Sequence, residues 1–295
     1  MKIATAGWAL ALAAAAWAAP ARAEGRLDER RPASADGVVD IDVPAGSLKV
    51  IGWAREEVQV TGTLGDGAEG LDFGGTARRT RISVETWGNP HRVRSELEIR
   101  VPAGCRLNVE SFSAAITIEG VTGEVQAETV QGAISVAGSP SEAQVSSVNG
   151  SVSVAGASRA TKAESVSGSV KVTGAGGEVQ ASSVSGRVEV EGRDFGSVQL
   201  ESVSGGVDFD GSLQKSARLS AESVSGRVTL VLPAATGADV RLSTFSGSIS
   251  TDFDAPEPRK TSRWTPEKDL EFTIGGGGAR VSVDTMSGGI AIRKK

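Results

Sequence analysis

Residues 166–172 read Val-Ser-Gly-Ser-Val-Lys-Val, and this short pattern recurs between residues 112 and 292. The glycine of each copy gives the period, with successive steps of 18, 18, 18, 19, 21 and 21 residues between Gly132, Gly150, Gly168, Gly186, Gly205, Gly226 and Gly247. Gly288 follows 41 residues later, after an insertion. A period near 20 residues with alternating apolar positions predicts a parallel β-solenoid with one coil per copy. A leucine-rich repeat has a similar period, but the Leu-x-x-Leu-x-Leu frame that it needs is missing here.

The alternation within each copy predicts which side chains face the core, because side chains alternate between the two sides of a strand. We expect the chain to turn a corner at Glu128-Thr129, which places three apolar columns inside. The first column is Val130, Val148, Val166, Val184, Val203, Val224 and Phe245. The second is Ile134, Val152, Val170, Val188, Val207, Val228 and Ile249, and the third is Ala127, Val145, Ala163, Ala181, Leu200, Ala221 and Leu242. The predicted fold class is all-β, a single-stranded parallel β-helix with about 18–21 residues per coil.

The first 23 residues have the pattern of a secretory signal peptide. Lys2 supplies a positive start, residues 7–19 form an apolar run, and Ala21-Arg22-Ala23 fits the small-x-small cleavage rule. Cleavage between Ala23 and Glu24 is therefore expected. The apolar run is short for a membrane span, and no second long run follows, so no stable membrane insertion is expected after cleavage. The predicted location is the bacterial periplasm, the cell surface or the medium.

The rest of the chain divides into three parts. Residues 24–36 are charged and are expected to form a flexible leader. Residues 37–109 alternate like strands but less regularly, and we expect them to form an N-terminal cap of the solenoid, as terminal repeats require. Residues 110–295 are the repeat solenoid, interrupted at 254–270 by a stretch with three prolines and many charges that predicts a surface loop.

The order of several motifs resembles the bacterial putative-adhesin family. These motifs are Ile-Gly-Trp-Ala at 51–54 followed by Val-x-Val at 58–60, Val-Pro-Ala-Gly at 101–104, Leu-Pro at 232–233 and the glycine-rich segment at 275–290. The resemblance covers most of the chain beyond the signal peptide. It implies a β-solenoid domain of unknown function in an exported envelope protein. It transfers no catalytic residues.

Charge and composition exclude several classes of function. Removing residues 1–23 takes Lys2 and Arg22 from 31 basic side chains and leaves 29 against 36 acidic ones, a net charge of about −7, which argues against a nucleic-acid partner. Cys105 is the only cysteine, so no intramolecular disulfide forms, and we expect a buried, inert thiol. The single histidine, His91, has no second histidine near it in the sequence. No catalytic residue, metal ligand or cofactor site is predicted.

Two surface features are candidate interaction sites. An acidic stripe is expected along the outward position before each Val-Ser-Gly, and it consists of Glu110, Glu128, Glu164, Glu201 and Glu222, with serine at the copies between. We expect only Glu110 and Glu128, and Glu201 and Glu222, to be adjacent. This spacing favours a soluble face over a cation site. The second candidate is the insertion loop, with Arg259, Arg263 and Trp264.

Three functions from different classes fit the sequence. The preferred one is a non-enzymatic binding or structural module, an adhesin-like monomer that contacts an unknown envelope protein or a glycan. The second is a self-assembling periplasmic scaffold, because a solenoid ends in strand edges that could stack end to end. The third is a polysaccharide-active β-helix enzyme, for which Glu189 and Asp208 on neighbouring coils would be the carboxylate pair.

Overall fold

A computed structural model describes residues 26–86, 95–260 and 266–295, and within these ranges all regular structure is β-strand. The N-terminal strands are β1 (Arg26–Pro32), β2 (Val38–Asp42), β3 (Ala45–Trp53), β4 (Glu57–Thr63), β5 (Ala68–Thr76), β6 (Arg79–Thr86), β7 (Ser95–Pro102), β8 (Arg106–Ser111) and β9 (Ser113–Glu119). The repeat strands are β10 (Glu124–Thr129), β11 (Ile134–Ala137), β12 (Glu142–Ser147), β13 (Val152–Ala155), β14 (Ala160–Ser165), β15 (Val170–Ser183), β16 (Val188–Ser202), β17 (Val207–Ser223) and β18 (Val228–Leu232). The C-terminal strands are β19 (Ala238–Thr244), β20 (Ile249–Thr251), β21 (Arg259–Lys260), β22 (Lys268–Ile274), β23 (Ala279–Thr285) and β24 (Ile290–Lys294).

The strands form a parallel β-solenoid, which confirms the predicted fold class. Each rung, meaning one turn of the solenoid, runs along a first face, turns a corner at the Val-x-Gly segment and runs along a second face. On the first face β8, β10, β12 and β14 stack in parallel and in register, and the C-terminal halves of β15, β16 and β17 continue the stack. On the second face β9, β11 and β13 stack in the same way, followed by the N-terminal halves of the long strands and then β18.

At both ends the spatial order of the rungs differs from the chain order. At the N-terminal end β2 lies between β6 and β8, and β3 lies between β7 and β9. At the C-terminal end β23 lies between β17 and β19, and β24 lies between β18 and β20. The last rung of the chain is therefore inserted before the rung that contains Phe245, and the rung that contains Phe245 is outermost.

Antiparallel strands extend the sheet at both ends of the parallel stack. At the N-terminal end β5 pairs with β6, β4 pairs with β7, and β1 pairs with β4. At the C-terminal end β22 pairs with β19, and β21 pairs with β22. The cap predicted over 37–109 thus contains true rungs of the solenoid as well as antiparallel strands.

Two predictions need correction, that of the flexible leader and that of the insertion loop. The leader predicted as flexible over 24–36 contains β1, which pairs with β4 from Arg26↔Thr63 to Pro32↔Glu57, because backbone pairing overrides its high charge. The loop predicted over 254–270 contains β21 and the start of β22, which pair antiparallel. Residues 1–23, with the expected cleavage between Ala23 and Glu24, are not among those that the structure describes. Within the described ranges, no helix is long and apolar enough to cross a membrane.

The core contains two of the three predicted columns. The column from Ala127 to Leu242 is fully buried, and the column from Ile134 is buried as far as Val228, with Ile249 half-buried. Phe195 and Phe209 fill the wider rungs, with ring centroids 5.2 Å apart.

The column predicted to run from Val130 to Phe245 does not lie in the core, and that prediction is wrong. Six of its members are 41–48 % exposed, and Val130 is half-buried. The expected corner at Glu128-Thr129 was placed two residues too early, since the observed corner begins at Val130. The strand continues inward through Thr129 and its equivalents, so the next side chain points outward.

Candidate functional site

A buried hydroxyl group closes the corner of nearly every rung. In one copy the Ser165 Oγ accepts a hydrogen bond from the Gly168 amide at 2.9 Å and donates one to the Gly150 carbonyl oxygen of the previous rung at 2.9 Å. Because a buried polar group without a partner is costly, this serine occupies an inward position without penalty. The equivalent hydroxyl groups that accept the corner amide belong to Thr129, Ser147, Ser183, Ser202, Ser223 and Thr244.

The corner glycine is required because consecutive rungs approach each other directly. A Cβ built on Gly168 would lie 2.1 Å from the carbonyl oxygen of Gly150, and one built on Gly150 would lie 1.7 Å from that of Gly132. No side chain fits at such distances. The corner therefore has a fixed geometry from rung to rung, and it aims the residue after the serine outward.

The outward residues form an exposed apolar ladder along the corner, which we name the apolar column. It runs, in spatial order, through Phe112, Val130, Val148, Val166, Val184, Val203, Val224, Met286 and Phe245. From Val148 onward its members are 41–61 % exposed, with Met286 the most exposed. The backbone beneath it is bonded between rungs, since the Ser167 amide donates to the Val148 carbonyl at 2.9 Å and the pattern repeats along the corner. The column is thus rigid and continuous.

The predicted acidic stripe lies beside the apolar column, but its members are arranged differently from the prediction. The paired positions of the first face run Asp42, Glu110, Glu128, Ser146, Glu164, Ser182, Glu201, Glu222, Asp284 and Ser243, which we name the acidic column. Insertion of β2 and β23 into the stack creates two runs of three consecutive acids, at Asp42–Glu110–Glu128 and at Glu201–Glu222–Asp284. The expectation that only two pairs would be adjacent is therefore wrong.

Among the described residues, one member of the acidic column forms an ion pair. Lys162 lies 3.2 Å from Glu164, while Glu128 and Glu201 accept hydrogen bonds from Gln126 and Gln199 at 3.0 and 2.6 Å. Within the described part of the chain, no group of three His, Cys, Asp or Glu side chains has the arrangement needed to hold a metal ion.

The two columns share one surface, and a third column borders it. A shallow depression at the C-terminal half is lined by Glu201, Glu222 and Asp284 from the acidic column and by Val184, Val203, Val224, Met286 and Phe245 from the apolar column. On the other side of the apolar column lie exposed polar residues: Asn149, Ser167, Ser185, Ser204, Ser225, Ser287 and Ser246. The corner therefore presents parallel acidic, apolar and hydroxyl columns.

The carboxylate pair considered for glycoside hydrolysis is engaged in ion pairs. Glu189 and Asp208 are neighbours across β16 and β17, as expected. Lys171 Nζ lies 2.7 Å from Glu189 Oε1, and Arg187 Nη1 lies 2.7 Å from Asp208 Oδ2. The hydrogen bond from Lys171 holds the pKa of Glu189 below its ordinary value. A general acid in glycoside hydrolysis needs a raised pKa, so this geometry does not suit that role.

Of the remaining candidates, the structure describes Arg259 and Cys105. Arg259 is exposed in β21, opposite Asp269 of β22, while Arg263 and Trp264 lie outside the described residues, as does His91. Cys105 is fully buried, and burial raises the pKa of its thiol to about 12. A neutral thiol at this depth is a packing group.

Comparisons with known proteins place the chain in a family. A family model described as Toastrack DUF4097 matches residues 76–293, which is more than half of the chain, so the chain belongs to this family. This result confirms the family resemblance noted in the sequence. One similar solved structure is a putative cell adhesion protein from Clostridium sporogenes, with 10% identity, 92% of this chain and 100% of that chain covered, and a TM-score of 0.22. Another is a putative adhesin from Bacteroides fragilis, with 10% identity, coverage of 92% and 98%, and a TM-score of 0.39. A search of curated proteins returned no match.

Proposed function

We propose that this member of the Toastrack DUF4097 family is an exported, non-enzymatic module that binds another envelope component through the corner that carries the apolar and acidic columns. The observation that carries the proposal is the exposure of the apolar column. A solenoid corner does not need an apolar side chain at this outward position, because the corner is closed by the buried serine and the glycine. Contiguous exposed apolar surface in a folded protein marks an interaction site.

The exposed area sets the strength of binding that this surface can supply. Full burial of a Val, Met or Phe side chain is worth about 1.5–3 kcal/mol. Since the seven residues from Val148 to Phe245 are 41–61 % exposed, covering them would contribute about 5–10 kcal/mol. Association costs about 4–15 kcal/mol, so apolar contact alone gives weak binding. The acidic column is then needed to add orientation and affinity.

Export is supported by residues 1–23, whose charge, apolar run and cleavage pattern are those of a signal peptide. The test is fractionation of a bacterial host that produces the full chain, followed by N-terminal sequencing of the protein. We expect an extracytoplasmic protein that begins at Glu24. A cytoplasmic protein that retains residues 1–23 would contradict export.

A monomer is supported by the composition of one edge strand. At the N-terminal end β1 is the outer strand beside β4, and it contains Arg30, Arg31 and Pro32. Charge and proline on an edge strand oppose pairing with another chain. Sedimentation velocity over a wide concentration range tests this. A concentration-dependent series of larger species would favour the scaffold function instead.

The binding surface is tested with matched double variants. Val184→Ser/Val203→Ser replaces two members of the apolar column, and Ser185→Ala/Ser204→Ala alters the adjacent hydroxyl column at the same two corners. A photo-cross-linking side chain at position 166 identifies the partner in the envelope, and the purified partner is then titrated against each variant. We expect the valine variant to lose at least tenfold in affinity and the serine variant to retain it. Equal affinity of both variants for the purified partner would refute the proposed surface.

A further inference from the structure

Resting on the proposed function, we infer that the occupant of this corner is a cationic amphipathic α-helix of a partner protein, which lies along the apolar column with its basic side chains on the acidic column. The inference draws on three features of the corner: the spacing of the columns, the state of the backbone beneath them and the charge beside them.

The spacing of the apolar column fits a helix better than an extended strand. Rungs repeat at about 4.8 Å, so the four steps from Val148 to Val224 cover about 19 Å. Four turns of α-helix cover about 22 Å, and each turn can place one apolar side chain between successive rungs. Four same-face steps of an extended strand cover about 27 Å, which is out of register by more than a full rung. Over these four steps a straight helix drifts by about half a rung relative to the column, and a strand by about one and a half rungs or more, so the helix is the better match.

The backbone at the corner offers no bonds to an added strand. The amides of Ser167, Ser185 and Ser204 each donate to the carbonyl of the preceding rung at 2.9 Å. Strand addition gains its affinity from unpaired main-chain groups, which this corner lacks between rungs. A helix satisfies its own main-chain hydrogen bonds and needs only side-chain contacts.

The charge beside the column selects a basic helix. Glu201, Glu222 and Asp284 occupy three consecutive rungs on one flank of the apolar column, and the other flank carries hydroxyl groups. Lys or Arg residues three or four positions apart on a helix repeat at nearly the same spacing as these acids. Electrostatic complementarity of this kind fixes the orientation and register of a partner.

The length of the column sets the length of the helix. From Val148 to Phe245 there are six steps, about 29 Å, which corresponds to about 19 helical residues. The largest side chains, Met286 and Phe245, lie at one end. Met adapts its shape to different neighbours, so the closest packing is expected there.

The probe is a stapled helical peptide of about 19 residues with Leu along one stripe and Lys beside it, titrated against the purified protein by fluorescence polarisation. Two control peptides share its staple and length: one has Glu in place of Lys, and one has the same composition with the Leu stripe scrambled. We expect a Kd on the order of 10 µM for the probe and at least tenfold weaker binding for both controls. Equal binding of the three peptides would overturn the inference.

Variants of the protein test whether the peptide binds at the corner. Val184→Ser/Val203→Ser is expected to weaken peptide binding about tenfold or more. Glu222→Gln is expected to weaken it about two- to fivefold and to make the peptide affinity less dependent on salt. Glu178→Gln removes an exposed carboxylate elsewhere on the first face and is expected to leave binding unchanged. If Glu178→Gln weakens the peptide as much as Glu222→Gln does, the basic side chains do not lie on the acidic column, and the inference is wrong.

The peptide experiment tests the helix inference, and the partner experiment tests the proposed surface. If a purified partner binds in a way that depends on Val184 and Val203 but the helical peptide does not bind, the helix inference is refuted and the proposed surface stands. If neither the peptide nor any cross-linked partner depends on these valines, the proposed function fails as well.

Discussion

Replacing Ser165 with alanine tests whether the buried hydroxyl group holds the corner of the solenoid. The Ser165 Oγ is the acceptor for the Gly168 amide and the donor to the Gly150 carbonyl, each at 2.9 Å. The substitution keeps Cβ and removes only these two bonds. It leaves the Gly168 amide buried and without an acceptor, since Gly168 itself is buried beneath the next rung.

The expected loss of stability follows from these two bonds. A net hydrogen bond is worth about 0.5–1.5 kcal/mol, and a buried donor left without a partner costs about 1–3 kcal/mol. Ser165→Ala should therefore lower the free energy of unfolding by about 2–4 kcal/mol. For a protein of this size that corresponds to a fall in Tm of roughly 5–15 °C.

Two further variants make the measurement specific. Ser167→Ala removes an exposed hydroxyl group two residues away, and its effect should stay within about 0.5 kcal/mol. Ser165→Thr should stay close to the parent, because Thr129 and Thr244 make the same bond to their corner amides at 3.2 and 2.9 Å. The assay is thermal unfolding followed by circular dichroism. If Ser165→Ala melts together with Ser167→Ala, the hydroxyl group does not hold the corner and the reasoning is wrong.

Three other predictions concern the glycine, the cysteine and one ion pair. Gly168→Ala should lower the free energy of unfolding by at least about 3 kcal/mol, because its Cβ would lie 2.1 Å from a carbonyl oxygen. In Gly206→Ala the Cβ would lie 3.4 Å from the nearest carbonyl oxygen, so the same thermal assay should show a loss under about 1 kcal/mol. Burial raises the pKa of the Cys105 thiol to about 12. This thiol should not react with a thiol reagent at pH 8 in the folded protein and should react fully in denaturant. Rapid labelling of the folded protein would contradict its burial. Lys171→Met should raise the pKa of Glu189 toward its ordinary value, because the hydrogen bond from Lys171 is the main cause of the lowered pKa. NMR titration of Glu189 measures this change. The small stability that the pair adds is present above the ordinary pKa of Glu and is lost as pH falls through the lowered pKa of Glu189. An unchanged titration of Glu189 in that variant would show that Lys171 is not the cause.

The period of the repeat was sufficient to predict the solenoid, and parity was sufficient to predict two of its core columns. The third column was misplaced because Val130 was assigned to the core, and its odd distance from Ala127 then required a corner at Glu128-Thr129. The signal that distinguishes the two readings was present in the sequence. Each copy from Thr129 to Ser223 has a hydroxyl residue at this position and no other type, as expected for a side chain that must both donate and accept inside the corner.

The order of the rungs at the two ends could not be predicted from spacing. Repeat spacing shows where one coil ends along the chain, but not which coils become neighbours when a later segment returns to an earlier gap. Asp42 next to Glu110, and Asp284 between Glu222 and Ser243, are products of these returns. The two runs of three acids exist only because β2 and β23 are inserted, so the acidic surface is a consequence of long-range pairing.

The corner of this solenoid separates the residues that build the fold from the residues that face outward. Ser165 is hydrogen-bonded to the rung below, and Gly168 contacts that rung directly. Both positions therefore restrict which side chains can be accommodated. Val166 lies between them in the sequence, yet its side chain is 44 % exposed and takes no part in either constraint. A serine there would keep the corner closed and would be better solvated. An apolar residue on every rung from Phe112 to Phe245 is therefore not a requirement of folding, and the property that it gives the molecule is an apolar surface with a fixed spacing, bordered by acids on one side.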